Sequence, residues 1–267
     1  MKRWIPFMTA DPVVSVVRLS GIIAAGGRPG AGISDQSVAP LLEKAFRRGK
    51  PKAVAISINS PGGSPVQSSL IAARIRRLAT EKSIPVHVFV EDLAASGGYW
   101  LACAGDDIWI DRTSIVGSIG VISASFGLHE FIGRFGIERR VHTAGKSKSF
   151  MDPFQPQKPA DVKRIKAIQE PIHTAFIDHV KSSRSGKLST GTDLFTGDVW
   201  VGQQALDVGL ADGIGHLVPK MKELYGEKTR FAVYGQRRSV LSRFGLSVVG
   251  DLAGFAEERA LYARYGL

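Results

Sequence analysis

Cysteine is nearly absent. One residue, Cys103, stands in 267, which excludes an internal disulfide and an all-cysteine zinc site. Its alanine neighbours, Ala102 and Ala104, read as the setting of a buried, inert thiol. Long apolar runs are missing too. Met1 to Met8 has a basic start and only a few apolar residues before Thr9 and Asp11. That is too short for a signal-peptide core or a membrane span, and no other stretch reaches about 18 apolar residues. The expectation is a cytoplasmic or peripheral membrane chain with no transmembrane anchor. Acids are in deficit: 24 Asp and Glu face 35 Lys and Arg, a net charge of +11. Charge alone leaves nucleic acid, anionic membranes and acidic substrates open. Arg139 to Lys187 carries eleven basic residues against four acids. No nucleic-acid module accompanies them, so they read as solvated faces and no nucleic-acid partner is expected.

What is present is an alternation of apolar runs and amphipathic stretches. Val13 to Leu19 is a β-branched run, continued by Gly21 to Ala25 after a small break, and reads as a buried strand. Ser34 or Asp35 caps a helix to about Arg48, with Val38, Leu41, Leu42, Ala45 and Phe46 inward. Ala53 to Ile58 is a second strand, Val66 to Ala79 a second helix, and Val86 to Val90 a third strand. This spacing describes right-handed βαβ crossovers and a parallel core sheet, an α/β fold. Further on, Ile108 to Ile110 reads as a short strand and Gly117 to Ile122 as extended. Phe126 to Phe135 reads as a helix, Ile137 to Thr143 as a strand. Asp161 to Arg184 is a long helix that Pro171 kinks or splits. A helix follows from Gly202, and Phe231 to Tyr234 is a last strand.

Two loops stand at the carboxyl ends of successive strands, the edge where open α/β sheets bind ligands. One is Asn59-Ser60-Pro61-Gly62-Gly63. The other is Ala94-Ala95-Ser96-Gly97-Gly98-Tyr99-Trp100. Small residues let the second turn sharply from strand to helix and leave the Ser96 hydroxyl exposed at the positive end of a helix dipole. The logic is that of a nucleophile elbow, without its G-x-S-x-G pattern. The Gly63 and Gly97 N–H groups would make an oxyanion hole beside Ser96. A serine nucleophile needs a base. None of the six histidines, His87, His129, His142, His173, His179 and His216, sits in a marking pattern. The segment Ala144-Gly145-Lys146-Ser147-Lys148-Ser149 offers a lysine instead. An amine base must be neutral, so its pKa must fall from about 10.4 toward neutrality, by burial or neighbouring positive charge. Ser118 is a hydroxyl that could orient it.

The motifs Asn-Ser-Pro-Gly-Gly, Ala-Ala-Ser-Gly-Gly-Tyr-Trp, Gly-Ser-Ile-Gly-Val and Ala-Gly-Lys-Ser-Lys-Ser occur here in order. With Gly197 to Ala205 and Gly209 to Asp212, they resemble the signal peptide peptidase A family of serine peptidases, peptidase family S49, over residues 13 to 220. The resemblance implies a ClpP/crotonase-like fold and a Ser–Lys dyad. Ser96 matches the nucleophile and Lys148 the base, with Lys146 its local rival. Ser118 matches a hydroxyl near the lysine, and Gly63 and Gly97 match the oxyanion donors. No metal and no cofactor are implied. Members usually carry a membrane anchor, and long members two tandem domain copies. One copy here implies a homo-oligomeric ring with Ser and Lys from neighbouring protomers.

The organisation expected is an N-terminal extension (1–12), a peptidase domain (13–235) and a C-terminal helical arm (236–267). The arm carries Leu241, Phe244, Leu246, Val249, Leu252 and Phe255 near helical spacing, and either packs on a subunit or touches a membrane surface. The reading is a serine endopeptidase acting on extended, largely apolar peptides such as signal-peptide remnants. The alternatives are a crotonase-type acyl-CoA hydratase or thioesterase, which needs no Ser96–Lys148 pair, and a non-catalytic peptide-binding scaffold.

Overall fold

In a computed structural model the described residues are 11–25, 32–145, 147–235 and 259–267. The chain begins with β1 (Val13–Ser20), α1 (Asp35–Arg47), β2 (Ala53–Ser60), α2 (Pro65–Lys82), β3 (Val86–Ala95) and α3 (Gly97–Ala102). β4 (Asp107–Ile110), β5 (Ile115–Gly117), α4 (His129–Arg134) and α5 (Pro159–Ser183) follow. The last elements are β6 (Val199–Val201), α6 (Gln203–Asp207), β7 (Gly213–Ile214), α7 (Leu217–Tyr225) and β8 (Arg230–Tyr234). Local chemistry starts the helices where the sequence places them. The Ser34 hydroxyl accepts the Ser37 N–H in a capping box on α1, and Ser64 caps α2 with Pro65 in its first turn. Each cap contributes about 1 kcal/mol.

The strands assemble in the order β6-β5-β3-β2-β1-β8, and β4 bridges β3 to β7. Every pairing is parallel except β5 with β6. β1 and β2 are buried almost throughout, which is why they read as apolar runs rather than alternating ones. On one face Val14, Val16, Ala53, Ala55 and Phe89 pack on Met221 of α7. Alternate residues point to the opposite face.

β3 outruns its expected end at Val90 by five residues. Exposed Glu91 and Asp92 imitate a strand end, but the backbone continues and changes partner: His87 to Val90 pairs with β4, Leu93 to Ala95 with β5. Glu91 is held by the Ser57 hydroxyl, and Asp92 accepts from Asn59 Nδ2 at 2.7 Å. That extension carries Ser96 to the top of the sheet.

The chain divides into two units, Gly120–Phe176 and the remainder. Within the smaller unit the Leu128 N–H donates to the Pro153 carbonyl at 2.6 Å, and Arg139 pairs with Asp152 at 3.0 Å. Three expectations change in this part of the sequence. Ile137 to Thr143 is not a strand: no described strand pairs with it, and this stretch, with Glu138, Arg139 and Arg140 between Ile137 and Val141, has no ladder to keep it extended. The extended stretch at Gly117 to Ile122 is a strand only to Gly117, its last residue paired with β6. Pro171 does not split the long helix, which runs from Pro159 to Ser183. Most of the expected arm, 236–258, lies outside the described residues; residues 259–263 are helical. No helix among the described residues is long and apolar enough to cross a membrane.

Candidate active site

Ser96 stands between β3 and α3 with φ 52° and ψ −122°. This conformation suits glycine, and a residue with a β-carbon holds it only where its surroundings enforce it. The enforcement is visible. The Ser96 N–H donates to the Gly117 carbonyl at 2.8 Å, and the Ser96 carbonyl accepts from Tyr99 and Trp100 at 2.9 and 3.0 Å. Beneath it every residue of α3 is buried. The Tyr99 hydroxyl donates to the Leu210 carbonyl at 2.8 Å, and Ser183 Oγ to the Cys103 carbonyl at 2.6 Å. Arg184, 2% exposed, forks onto Asp212 at 2.6 and 3.1 Å and donates to the Gly209 carbonyl. The turn therefore rests on a fixed floor, with Ser96 itself half-buried and its side chain making no cap.

The neighbouring loop is locked equally firmly. Ser60 Oγ donates to the Gly21 carbonyl at 2.7 Å and accepts the Gly62 N–H at 3.2 Å. The Gly62 carbonyl accepts from Ile23, and the Ile23 carbonyl from Ser64, at 2.8 and 2.7 Å. Gly62 (φ +98°) lies so close to the Ser96 turn that a β-carbon there would sit 2.7 Å from the Gly97 nitrogen and 2.8 Å from Ser96 Cβ. A β-carbon on Gly63 (φ +140°) would meet the Ile23 carbonyl at 2.0 Å. Only glycine fits at either place. The Gly63 nitrogen in turn lies 3.3 Å from where a Gly97 β-carbon would project. Neither the Gly63 nor the Gly97 N–H has an acceptor among the described residues. Two unpaired donors beside a serine oxygen can hold an oxyanion.

Ser118 follows β5 with φ 50°, and its N–H donates to the Asp198 carbonyl at 2.7 Å. Through the Gly117–Ser96 bond it belongs to the same edge. So the structure brings Ser96, Gly63, Gly97 and Ser118 to one end of the sheet. Lys148 lies in the smaller unit, exposed in a turn where its N–H donates to the Gly145 carbonyl at 3.2 Å. Lys146 is outside the described residues.

Three histidines of the larger unit are engaged elsewhere. His87 bonds Asp107 and Tyr225, each at 2.8 Å, at the start of β3. Nine residues of strand, about 30 Å, separate it from Ser96. His216 bonds Asp111 at 2.8 Å. His179 stacks on Trp100 and bonds its carbonyl at 3.0 Å. Burial lowers its pKa against the opposing pull of that carbonyl. Cys103 is not a rival nucleophile: burial pushes its thiol up to about 12, against the pull of Arg184.

Sequence reasoning missed Ser60 as the lock of the oxyanion loop, and Asp198 as the acceptor that fixes Ser118. Nothing in their local pattern separates them from ordinary loop residues. It also missed Tyr262 and Tyr265. The first donates to the Asn59 carbonyl at 2.8 Å and the second to Ser118 Oγ at 3.2 Å.

Comparison with known proteins places this arrangement. A Brucella melitensis protein named Na(+)/H(+) antiporter NhaA is 48% identical over 288 residues, covering 100% of this chain and 39% of that protein. The chloroplastic serine protease SPPA of Arabidopsis thaliana is 29% identical over 223 residues, covering 81% of this chain and 33% of that protein. The chain thus spans between a third and two fifths of these relatives, and an antiporter name describes the longer Brucella protein. A mutant of the 1510-N membrane-bound stomatin-specific protease, in complex with a substrate peptide, superposes with a TM-score of 0.53 at 16% identity. The superposition covers 88% of this chain and 97% of that one. The fold is the ClpP/crotonase-like α/β fold expected from the motifs. The model of peptidase family S49 matches residues 79–228, and the chain belongs to that family.

Proposed function

We propose that the chain is a serine endopeptidase with a Ser96–Lys148 dyad. The observation that carries this reading is the strained Ser96 turn set beside two unpaired backbone donors. Strain of this kind persists where function needs it. In the reaction, Lys148 Nζ takes the Ser96 proton as Oγ bonds to the scissile carbonyl carbon. Gly63 and Gly97 N–H groups hold the oxyanion. On collapse the C–N bond breaks, and Lys148 returns the proton to the leaving amine. Water, deprotonated by Lys148, then attacks the acyl-enzyme carbonyl; the ester C–O bond breaks, and Lys148 returns that proton to Ser96 Oγ. Ser118 orients the lysine.

The base is supplied by a neighbouring copy. Two features support this. Lys148 is exposed in the single chain, whereas a lysine base must be desolvated. Large exposed apolar side chains concentrate in its unit, including Phe126 at 84% and Ile122 at 67% exposure. Such a surface fits a subunit contact, and closed symmetry would make every site equivalent in a ring. Extended, largely apolar peptides such as signal-peptide remnants are the proposed substrates. Exposed Val66 and Leu70 lie one helical turn apart on α2, directly after the Gly63 loop, and would face them.

Complementation tests the dyad. Ser96→Ala and Lys148→Ala are each expected to be inactive on a mixed peptide pool. Mixed under conditions of subunit exchange, they regain activity, because some interfaces carry both intact residues. A dead mixture despite measured exchange refutes the shared dyad. Near-normal turnover by Ser96→Ala refutes the nucleophile.

A further inference from the structure

A cationic surface stands at the far end of the sheet from Ser96. Residues 44–52, which end α1 and lead into β2, hold five basic side chains, Lys44, Arg47, Arg48, Lys50 and Lys52, and no acid. Lys82 joins them from the end of α2. Arg47, Lys50, Lys52 and Lys82 wall one groove of about 430 Å³ around Phe46 and Pro51. All four cations are exposed. The acids beside them are taken: Glu43 pairs with Arg74 at 3.5 Å and Glu81 with Arg77 at 2.9 Å. Among the described residues no ion pair neutralises the four. Helix dipoles explain part of this, because Arg47 and Lys82 sit in last turns, where a cation is favourable. Lys50 and Lys52 lie past the turn and gain nothing of the kind. Lys50 also holds φ 49° directly before Pro51, where both its β-carbon and the proline favour extended backbone. The rim beneath is fixed: the Lys52 N–H donates to the Val13 carbonyl at 2.8 Å, and the Val54 N–H to the Pro85 carbonyl at 2.9 Å. Backbone strain that holds an unpaired cation at a groove points to a ligand.

We propose that this groove and its rim dock the chain on an anionic phospholipid surface. The inference goes beyond the peptidase reading and does not depend on it. Clustered cations meet the phosphate headgroups of such a surface, and each Lys or Arg near it strengthens binding about fivefold. Nucleic acid carries the same charge but fits less well. Phe46 is 2% exposed, so the groove offers no ring for a base to stack on. Both α1 and α2 finish at the groove, so neither presents there the helix N-terminus that reads a duplex. Docking here leaves the catalytic edge free. The eight residues of β2, about 25 Å of strand, separate the groove from the Ser60 loop.

The test is cosedimentation of the full chain with vesicles, one third phosphatidylglycerol in phosphatidylcholine, against vesicles of phosphatidylcholine alone. The wild type should bind the first and not the second. Raising salt from about 0.1 M to about 1 M, which shortens the Debye length from about 10 Å to about 3 Å, should release it. Lys82→Gln should weaken binding about fivefold, and Lys50→Gln with Lys52→Gln about twenty- to thirtyfold. Removing the same charge from exposed α5, by Lys163→Gln with Lys166→Gln, should change binding less than twofold. No binding by the wild type, or equal binding to both vesicles, overturns the proposal. So does an equal loss in the α5 pair, which would make net charge rather than this groove the cause. Tighter binding of a duplex DNA than of the anionic vesicles at equal phosphate concentration overturns it in favour of nucleic acid. Failure of the peptidase reading is seen separately, as turnover by Ser96→Ala, and leaves vesicle binding as it was.

Discussion

Ser96 can be exchanged in two ways that should separate strain from chemistry. Ser96→Ala removes the hydroxyl but keeps a β-carbon at φ 52°, ψ −122°. Ser96→Gly removes both. A residue with a β-carbon in such a region costs about 1–3 kcal/mol. Glycine gives back about 0.5–1 kcal/mol through the freedom it gains in the unfolded chain. The surroundings leave the conformation no escape, because the Ser96 N–H is bound to Gly117 and its carbonyl to Tyr99 and Trp100. The glycine variant should therefore be the more stable of the two by about 0.5–2 kcal/mol. For a chain of this size that is a rise in Tm of very roughly 1–8 °C. Both variants should be inactive. The assay is urea unfolding at one fixed protein concentration, so that oligomerisation does not bias the comparison. A glycine variant equal to or less stable than the alanine variant would refute stored strain at the nucleophile.

Three further outcomes follow from the same geometry. Gly62→Ala places a β-carbon 2.7 Å from the Gly97 nitrogen, so it should lower kcat at least a hundredfold while leaving far-UV circular dichroism unchanged; kcat within a few fold of wild type would contradict the oxyanion assignment. Asp212→Asn should destabilise by about 2–4 kcal/mol, somewhat less than a fully buried pair, because Asp212 retains 16% side-chain exposure. Burial raises its pKa, but the bonds from Arg184 and Lys187 outweigh that and hold it below 3.8. Its contribution is thus present above about pH 4 and lost as pH falls through the depressed value, so wild type should lose more stability on acidification than the variant. Cys103 should resist iodoacetamide at pH 8 in the folded chain and react in urea; labelling under native conditions would contradict the burial that raises its thiol to about 12.

What was legible in the sequence divides by distance along the chain. β1, β2 and their crossover helices follow from apolar runs, serine caps and turn residues, all local signals. Gly62, Gly63 and Ser96 were legible for the same reason: each marks a turn that its own residue types demand. Ser118 was named, yet the carbonyl of Asp198 that fixes it lies 80 residues later in the numbering, beyond the reach of any periodicity. The second half of β3 was lost because Glu91 and Asp92 look like a strand end, and only the change of partner from β4 to β5 reveals otherwise. The error at Ile137 to Thr143 runs the other way. There the strand propensity was read correctly, but no ladder partner exists within the described chain to honour it. A segment with no ladder partner among the described residues, and with Ile137 56% exposed, is a natural place for a second copy to supply one. Lys148 stands just beyond it in the same unit, exposed and in a turn. Local sequence can therefore name both halves of the proposed dyad, and the proposal leaves bringing them together to assembly. Crosslinking a cysteine placed at Ile137 in the Cys103→Ser background tests this. A disulfide or short-linker dimer should form between copies at micromolar concentration, and a chain that stays monomeric under those conditions would remove the assembly argument.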